Sequence, residues 1–264
     1  MINESNSIKE ILIDIKNDRE KLLCPFCIKK NNVFHLFFAK TFKNLRGKNN
    51  TNIYLYRSKN FKDWEPYSNK PIIKTFSGYA SHRVLSPSVH QIGRKYYLVF
   101  EGRDGNTSSI FFATSNNLID WKINFHPIII GNIKEHYFSP SILYNSKNKS
   151  ILIYYCQKKD GKSYICLNEY TDRAFKKLVS NKIILKQTNK YESYSIYAPF
   201  VLRNKNKYIM LYSGWSLNPT KGRVMSAVSK NGFVWKKNNK PIIEPSIEYD
   251  IKHCSEPSII DIKN

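Results

Sequence analysis

Five prolines, each opening an apolar run, stand 53 to 62 residues apart: Pro25 in LCPFCI, Pro87 in LSPSVH, Pro140 in FSPSIL, Pro199 in YAPFVL and Pro257 in SEPSII. A second landmark keeps the same period. SKNFKDW starts at Ser58, SNNLIDW at Ser115 and SKNGFVW at Ser229, at spacings of 57 and twice 57 residues. Trp64, Trp121 and Trp235 close these phrases, and each is followed by KPII or HPII, at Pro71, Pro127 and Pro241. The third unit keeps only NKIIL in that place and has lost its Trp. A fixed internal period means one supersecondary unit stacked on itself, and it prunes the possible folds harder than composition does.

Within a unit the order is constant. In the second, PSVHQI reads as a strand, GRK as a turn, YYLVFEG as a strand, RDGNTS as a polar loop, SIFFATS as a strand, NNLID as a turn and WKINFHPIII as a fourth strand. Short runs rich in Val, Ile, Tyr and Phe, bounded by Gly, Asn, Asp and Ser, are strand signals. Four antiparallel strands repeated at this period are propeller blades. A face-packed sandwich would not repeat proline and tryptophan landmarks in register. The expected fold is all-β, a five-bladed β-propeller of four-stranded antiparallel blades, with the fifth blade incomplete. Residues 1–23 are read as an N-terminal extension and 24–264 as the propeller, four full blades plus the first strand of a fifth. First strands are expected near 24–29, 86–91, 139–144 and 198–203, and a short strand near 256–261. The period implies that a C-terminal stretch of roughly 40 residues is missing from a full propeller. The gap would expose strand edges that template association.

The net charge of +23 raises the question of nucleic acid. The basic residues are spread along the chain, mostly as Lys beside Asn, and form no clustered footprint, so no nucleic-acid partner is expected. No run of 18 apolar residues occurs, and the N-terminus lacks the pattern of a signal peptide, so no membrane partner is expected either. The odd set Cys24, Cys27, Cys156, Cys166 and Cys254 suits reduced thiols in a cytoplasm. CPFC at 24–27 has no second pair or His at zinc spacing, so neither a metal nor another cofactor is expected.

Blade topology narrows the search for a site. The loop before each first strand and the loop between the second and third strands open on one face. Asp63 and Asp120 belong to turns of the opposite face and read as turn formers. The near face collects Glu101, Arg103 and Asp104 from FEGRDG, and Glu135 and His136 from KEHYFSP. It also collects His82, Arg83, Glu192, Tyr194, Trp215, His253 and Glu256. Glu101 ends a second strand, where side chains turn to the channel or to the core. Asp104, in RDG, doubles as a turn former, and Glu192 sits in a long polar loop. Trp64, Trp121 and Trp235 recur with the blade and are core packing. Trp215 breaks that register and is the better platform for a ring.

The phrases SPSVHQIGRKYYLVFEGRDG, APFVLRNKNKYIMLYSGWS and SAVSKNGFVWKKNNKPIIEPSIEYDIKHCSEPSII resemble the blades of the five-bladed β-propeller glycosidases. These are the arabinanase and β-xylosidase type, the invertase and levansucrase type, and the mannoside-phosphorylase type. The resemblance covers about residues 24–264. It implies a carbohydrate-active protein, a relative of glycoside hydrolases or glycoside phosphorylases, acting on an oligosaccharide or sugar phosphate. In the arabinanase-type families the Pro of the first blade follows an Asp that serves as base. Here that place is Cys24, and the equivalents in the next blades are Ser86, Ser139 and Ala198; only Glu256 is acidic. Glycosidic cleavage uses two carboxyl groups flanking the bond, so Glu256, Glu101 and Glu192 are the catalytic candidates. Arg103, Asp104, His136, Tyr194 and Trp215 are the substrate-binding candidates, through charge and aromatic faces. A catalytically inactive sugar-binding or truncated remnant propeller is the alternative, and a flat near face would suit a protein-interaction propeller.

Overall fold

The computed structural model describes residues 20–43, 49–245 and 253–260. Among these described residues sixteen strands form four antiparallel blades. Blade 1 is β1 (Glu20–Lys30), β2 (Val33–Lys43), β3 (Asn49–Ser58) and β4 (Glu65–Pro66). Blade 2 is β5 (Arg83–Ile92), β6 (Lys95–Arg103), β7 (Ser108–Ser115) and β8 (Lys122–Ile129). Blade 3 is β9 (Glu135–Asn145), β10 (Ser150–Lys159), β11 (Lys162–Tyr170) and β12 (Leu178–Lys186). Blade 4 is β13 (Ser195–Asn204), β14 (Lys207–Ser216), β15 (Lys221–Ser229) and β16 (Lys236–Lys237). The chain has the five-bladed propeller fold, built of four-stranded antiparallel blades, four of which lie among the described residues. The first strand begins at Glu20, inside the segment read as an extension. Among the described residues of the fifth unit, His253 bridges Gly222, and 254–260 join no ladder, so the short strand expected near 256–261 is not seen there.

Each landmark has a physical role. The X-Pro step of every first strand sits in a bulge, where the ladder skips between Leu23 and Phe26, Leu85 and Ser88, and Tyr197 and Phe200, with the matching skip opposite Tyr154 and Cys156 in blade 3. Proline has no N–H to give the ladder, and a bulge is where a strand tolerates it. The residue before each proline is left-handed: Cys24 φ 54°, Ser86 φ 53°, Ser139 φ 51°, Ala198 φ 50° and Glu256 φ 59°. Five non-glycine residues in this region, at equivalent places, mark a shared constraint of the propeller axis. The five X-Pro steps together line one narrow axial channel. The fifth step, Glu256-Pro257, thus takes its place on the axis although its residues join no ladder.

The Ser-x-Asn turns hold the opposite face. Ser58 and Ser115 donate Oγ–H to Asn60 and Asn117, whose Nδ2 groups donate to Asp63 at 2.7 Å and Asp120 at 2.8 Å. Blade 3 lacks the Trp but builds a related turn, with Asp172 accepting from the N–H groups of Ala174, Lys176 and Lys177 and Phe175 left-handed at φ 56°. Trp121 meets Phe37 of blade 1 edge-on at 6.0 Å, and Trp235 meets Tyr154 of blade 3 at 5.9 Å.

The core lies between blades. Phe37, Ile53 and Leu55 pack on Leu98, Phe100 and Phe111; Tyr97 and Val99 pack on Ile153 and Tyr155; Leu152 and Tyr154 pack on Tyr208, Met210 and Tyr212. Strands buried on both sides explain why β6 and β10 read as nearly continuous apolar runs. Polar bonds stitch the blades near the axis. Ser88 Oγ accepts the Ile142 N–H at 3.2 Å, Ser141 Oγ the Val201 N–H at 3.1 Å, and Ser213 Oγ the Glu256 N–H at 2.9 Å.

Candidate active site

A pocket of about 220 Å³ opens beside the axis. Leu85, Ser86, Glu101 and Arg103 come from blade 2; Phe138, Ser139, Lys158, Gly161 and Ser163 from blade 3; Tyr194, Ser195 and Tyr197 from blade 4 and the loop before it; and Glu256 from the fifth unit.

Glu256 is half-buried. Its Oε2 accepts the Cys24 N–H at 2.8 Å, and the Cys24 thiol also hydrogen-bonds its carboxylate. The left-handed backbone at Glu256 and the bond from Ser213 fix where this carboxyl emerges. Glu101, at the end of β6, is fully buried. It accepts the Ser86 hydroxyl and the Ser139 N–H, each at 3.3 Å, and forms an ion pair with Arg103 Nε. A buried carboxylate needs such partners, and removing one would leave the other uncompensated. The Glu101 carboxylate in turn holds the Arg103 guanidinium above its ordinary value, against the opposing effect of burial. Arg83 lies opposite Arg103 in the ladder. Burial lowers the Arg83 value and the Arg103 charge lowers it further.

Cys24 shares the axis with these groups. Burial pushes its thiol well up, and the nearby Glu256 and Glu101 carboxylates add to this. It therefore stays a neutral thiol, accepting from Ser86 Oγ at 3.4 Å. Tyr197 is pushed up to about 12, first by burial and then by the Glu256 carboxylate.

The remaining sequence candidates divide. Tyr194 lines the pocket, is 51% exposed, and is tied by its N–H to the Trp215 carbonyl at 2.9 Å. Trp215 stands one layer back, stacked on Tyr197 at 6.4 Å and tilted against His253 at 5.4 Å. It supports the aromatic wall instead of forming it. His136 is half-buried at the rim, paired in register with Lys158, and does not line the pocket. Asp104 spends its carboxylate on its own turn, accepting from the N–H groups of Asn106 at 2.8 Å and Thr107 at 2.7 Å. Glu192 is not brought to the pocket. It is fully buried under the loop before β13, bonded to Tyr212 Oη at 2.6 Å and Lys237 Nζ at 2.7 Å. Lys158 and Tyr197 were not among the candidates. Lys158 belongs to the hairpin KKDGK between β10 and β11, which the same face argument could have included.

Among the described residues no three His, Cys, Asp or Glu side chains gather as metal ligands. A model of the family described as Glycosyl hydrolases family 43 matches residues 24–264. No curated protein matches the sequence. Among solved structures, a thermostable family-43 glycoside hydrolase is similar at 17% identity and TM-score 0.76, over 92% of this chain and 81% of that one. A β-1,2-mannobiose phosphorylase from Listeria innocua, in complex with β-1,2-mannobiose, is similar at 14% identity and TM-score 0.72, over 90% and 81%. An exo-1,5-α-L-arabinanase from a bovine ruminal metagenomic library is similar at 14% identity and TM-score 0.69, over 94% and 87%. At these identities the likeness is one of fold.

Proposed function

The chain belongs to the glycosyl hydrolases of family 43, and on that premise we propose that its near-face pocket binds an oligosaccharide or sugar phosphate and cleaves a glycosidic bond. The observation that carries this reading is the meeting of Glu101 and Glu256 on one pocket wall, from different blades. Glycosidic cleavage needs a group that gives a proton to the leaving oxygen and a second group that serves the anomeric carbon. Glu256 suits proton transfer: it is half-buried, lines the pocket, and is oriented by the Cys24 N–H. Glu101 suits a fixed electrostatic role, because Ser86, Ser139 and Arg103 hold it in place. Phe138, Tyr194 and Tyr197 supply ring faces for a sugar. No disulfide joins the cysteines among the described residues, which fits work in a reducing, cytoplasmic setting.

A second reading is favoured by one observation. Cys24, Ser86, Ser139 and Ala198 occupy four of the five axial positions, and none carries a carboxyl group. A sugar-binding propeller without turnover would look like this. The two readings separate in a panel of oligosaccharides and sugar phosphates, assayed with and without inorganic phosphate for released reducing sugar and for glycosyl phosphate. Turnover that Glu256→Gln abolishes supports cleavage. Binding by calorimetry with no product from any substrate supports the silent reading.

A further inference from the structure

The pocket lining sets two cations, Arg103 and Lys158, against two carboxylates, Glu101 and Glu256, and the cations keep donors that those carboxylates do not use. Arg103 spends only its Nε on Glu101, and its two terminal nitrogens make no hydrogen bond among the described residues. Its side chain is 35% exposed while its partner carboxylate is fully buried, so the guanidinium faces the opening. Lys158 lines the same pocket from blade 3, exposed and paired with no carboxylate among the described residues. Glu135, at the start of the adjacent strand, is already taken: it pairs with Lys159 and accepts the Tyr137 hydroxyl. Lys158 and Lys159 are successive on a strand and point to opposite sides, so that pair leaves Lys158 alone.

The neighbours reinforce the sign. Arg83 lies directly opposite Arg103 on the adjacent strand, with its Nε on Thr51 Oγ1 at 2.8 Å. Like charges opposite each other destabilise a ladder unless an anion lies near. Glu101 and Glu256 act on both arginines, of which Arg103 lines the pocket. Over the whole chain, 43 Lys and Arg face 20 Asp and Glu. A field of that sign draws anionic ligands toward the protein.

We propose that Arg103 and Lys158 form an oxyanion subsite, so that the ligand of this pocket carries a carboxylate or a phosphate group beside the bond that Glu256 faces. The inference rests on the sugar-cleaving reading of the same pocket and names its substrate class. A guanidinium offers a planar fork of donors and an ammonium a movable point charge, and the two converge well on an oxyanion. Ser163, opposite Lys158 in register, is buried with its hydroxyl bonded to Ser195 Oγ at 3.0 Å, and backs the wall behind that lysine. The anion can be the carboxylate of a uronic acid, the phosphate of a sugar phosphate, or free phosphate acting as acceptor.

The test is calorimetry on the full chain at low ionic strength. The probes are inorganic phosphate, a uronate disaccharide and the neutral disaccharide of the same linkage. Lys158→Ala and Lys158→Gln are compared with Lys134→Ala, a change at an exposed lysine outside the pocket. Lys158 is exposed, so its variants should fold. At least one anionic probe should bind the parent, weaken about tenfold in both Lys158 variants, and be unmoved by Lys134→Ala. Response to phosphate alone, or to uronate alone, identifies the source of the anion. If no anion binds, or if anions bind parent and Lys158 variants alike, the subsite is overturned, even where the neutral sugar binds and the cleaving reading survives. If phosphate binds through Lys158 but neither disaccharide binds and no substrate in the turnover panel is cleaved, the subsite stands and the sugar reading falls.

Discussion

The backbone N–H of Cys24 donates to the carboxylate of Glu256 at 2.8 Å, across 232 residues of sequence. One bond thus joins the first blade to the fifth unit at the propeller axis. It also orients a carboxyl that lines the pocket. The same contact serves closure and chemistry, and the two roles can be separated by choice of substitution.

Glu256→Gln keeps an oxygen to accept the Cys24 N–H but cannot carry a proton at the site. The folded protein should survive with a denaturation midpoint close to the parent's. Turnover should fall by about 10²–10⁴-fold while sugar affinity changes little. Glu256→Ala should lose stability as well as turnover, because the Cys24 N–H is left without its acceptor. Equal turnover in parent and Glu256→Gln, on any substrate the parent cleaves, would remove Glu256 from the chemistry.

Glu192 should behave in the opposite way. Its carboxylate is fully buried, between Tyr212 Oη, the Thr188 N–H and Lys237 Nζ. Lys237→Ala leaves that charge without its cation and should cost about 3–5 kcal/mol in urea denaturation. Glu192→Gln, which keeps acceptor and shape, should cost less and should leave turnover measurable in the folded fraction. A folded Glu192→Gln protein with no turnover would restore a catalytic role to this residue.

These two glutamates show how far the sequence could be read. The period of Pro25, Pro87, Pro140, Pro199 and Pro257 was legible because each proline must leave the ladder, and one bulge repeated around an axis leaves one residue type in register. The position of Glu256 on the axis follows from that. Glu192 was legible only as a residue of the near-face loop. Whether its side chain turns into the pocket or under the loop is decided by Lys237, 45 residues further along the chain. No local pattern carries that information. Asp104 was readable as a turn former, and its carboxylate is used that way. Trp215 was legible as standing off the blade register, and from that as a ring platform. Its distance from the pocket wall depends on Tyr197, which stacks in front of it.

Gly131 tests the approach to β9. A Cβ there would stand 2.1 Å from the Ser108 carbonyl oxygen and 3.1 Å from that of Glu135, both backbone atoms. The N–H of Gly131 donates to Ser109 Oγ at 2.9 Å, which holds it against blade 2. No rotamer can relieve a backbone clash, so Gly131→Ala should destabilise the protein by about 1–3 kcal/mol in denaturant titration. Gly105→Ala has open space around its Cβ but a φ of 107°, so its cost should come from backbone strain alone. An unchanged midpoint for Gly131→Ala would show that the 131–135 segment shifts without cost.

Acid should loosen the fold before it titrates the carboxylates. His90, on β5, has its imidazole lowered from 6.5 to about 4 by burial, and burial also lowers His35. A histidine kept neutral when folded binds a proton more readily once unfolded. Its contribution to stability is therefore whole above about pH 6.5 and is lost as the pH falls toward 4. His90 keeps part of its surface in solvent, which limits the size of the loss but not its sign. Stability measured by urea titration at pH 7, 6, 5 and 4 should fall across this window. His90→Gln, which cannot titrate, should show a shallower slope between pH 6.5 and 4 at whatever stability it starts from. Parallel slopes in parent and variant would assign the acid sensitivity to other groups.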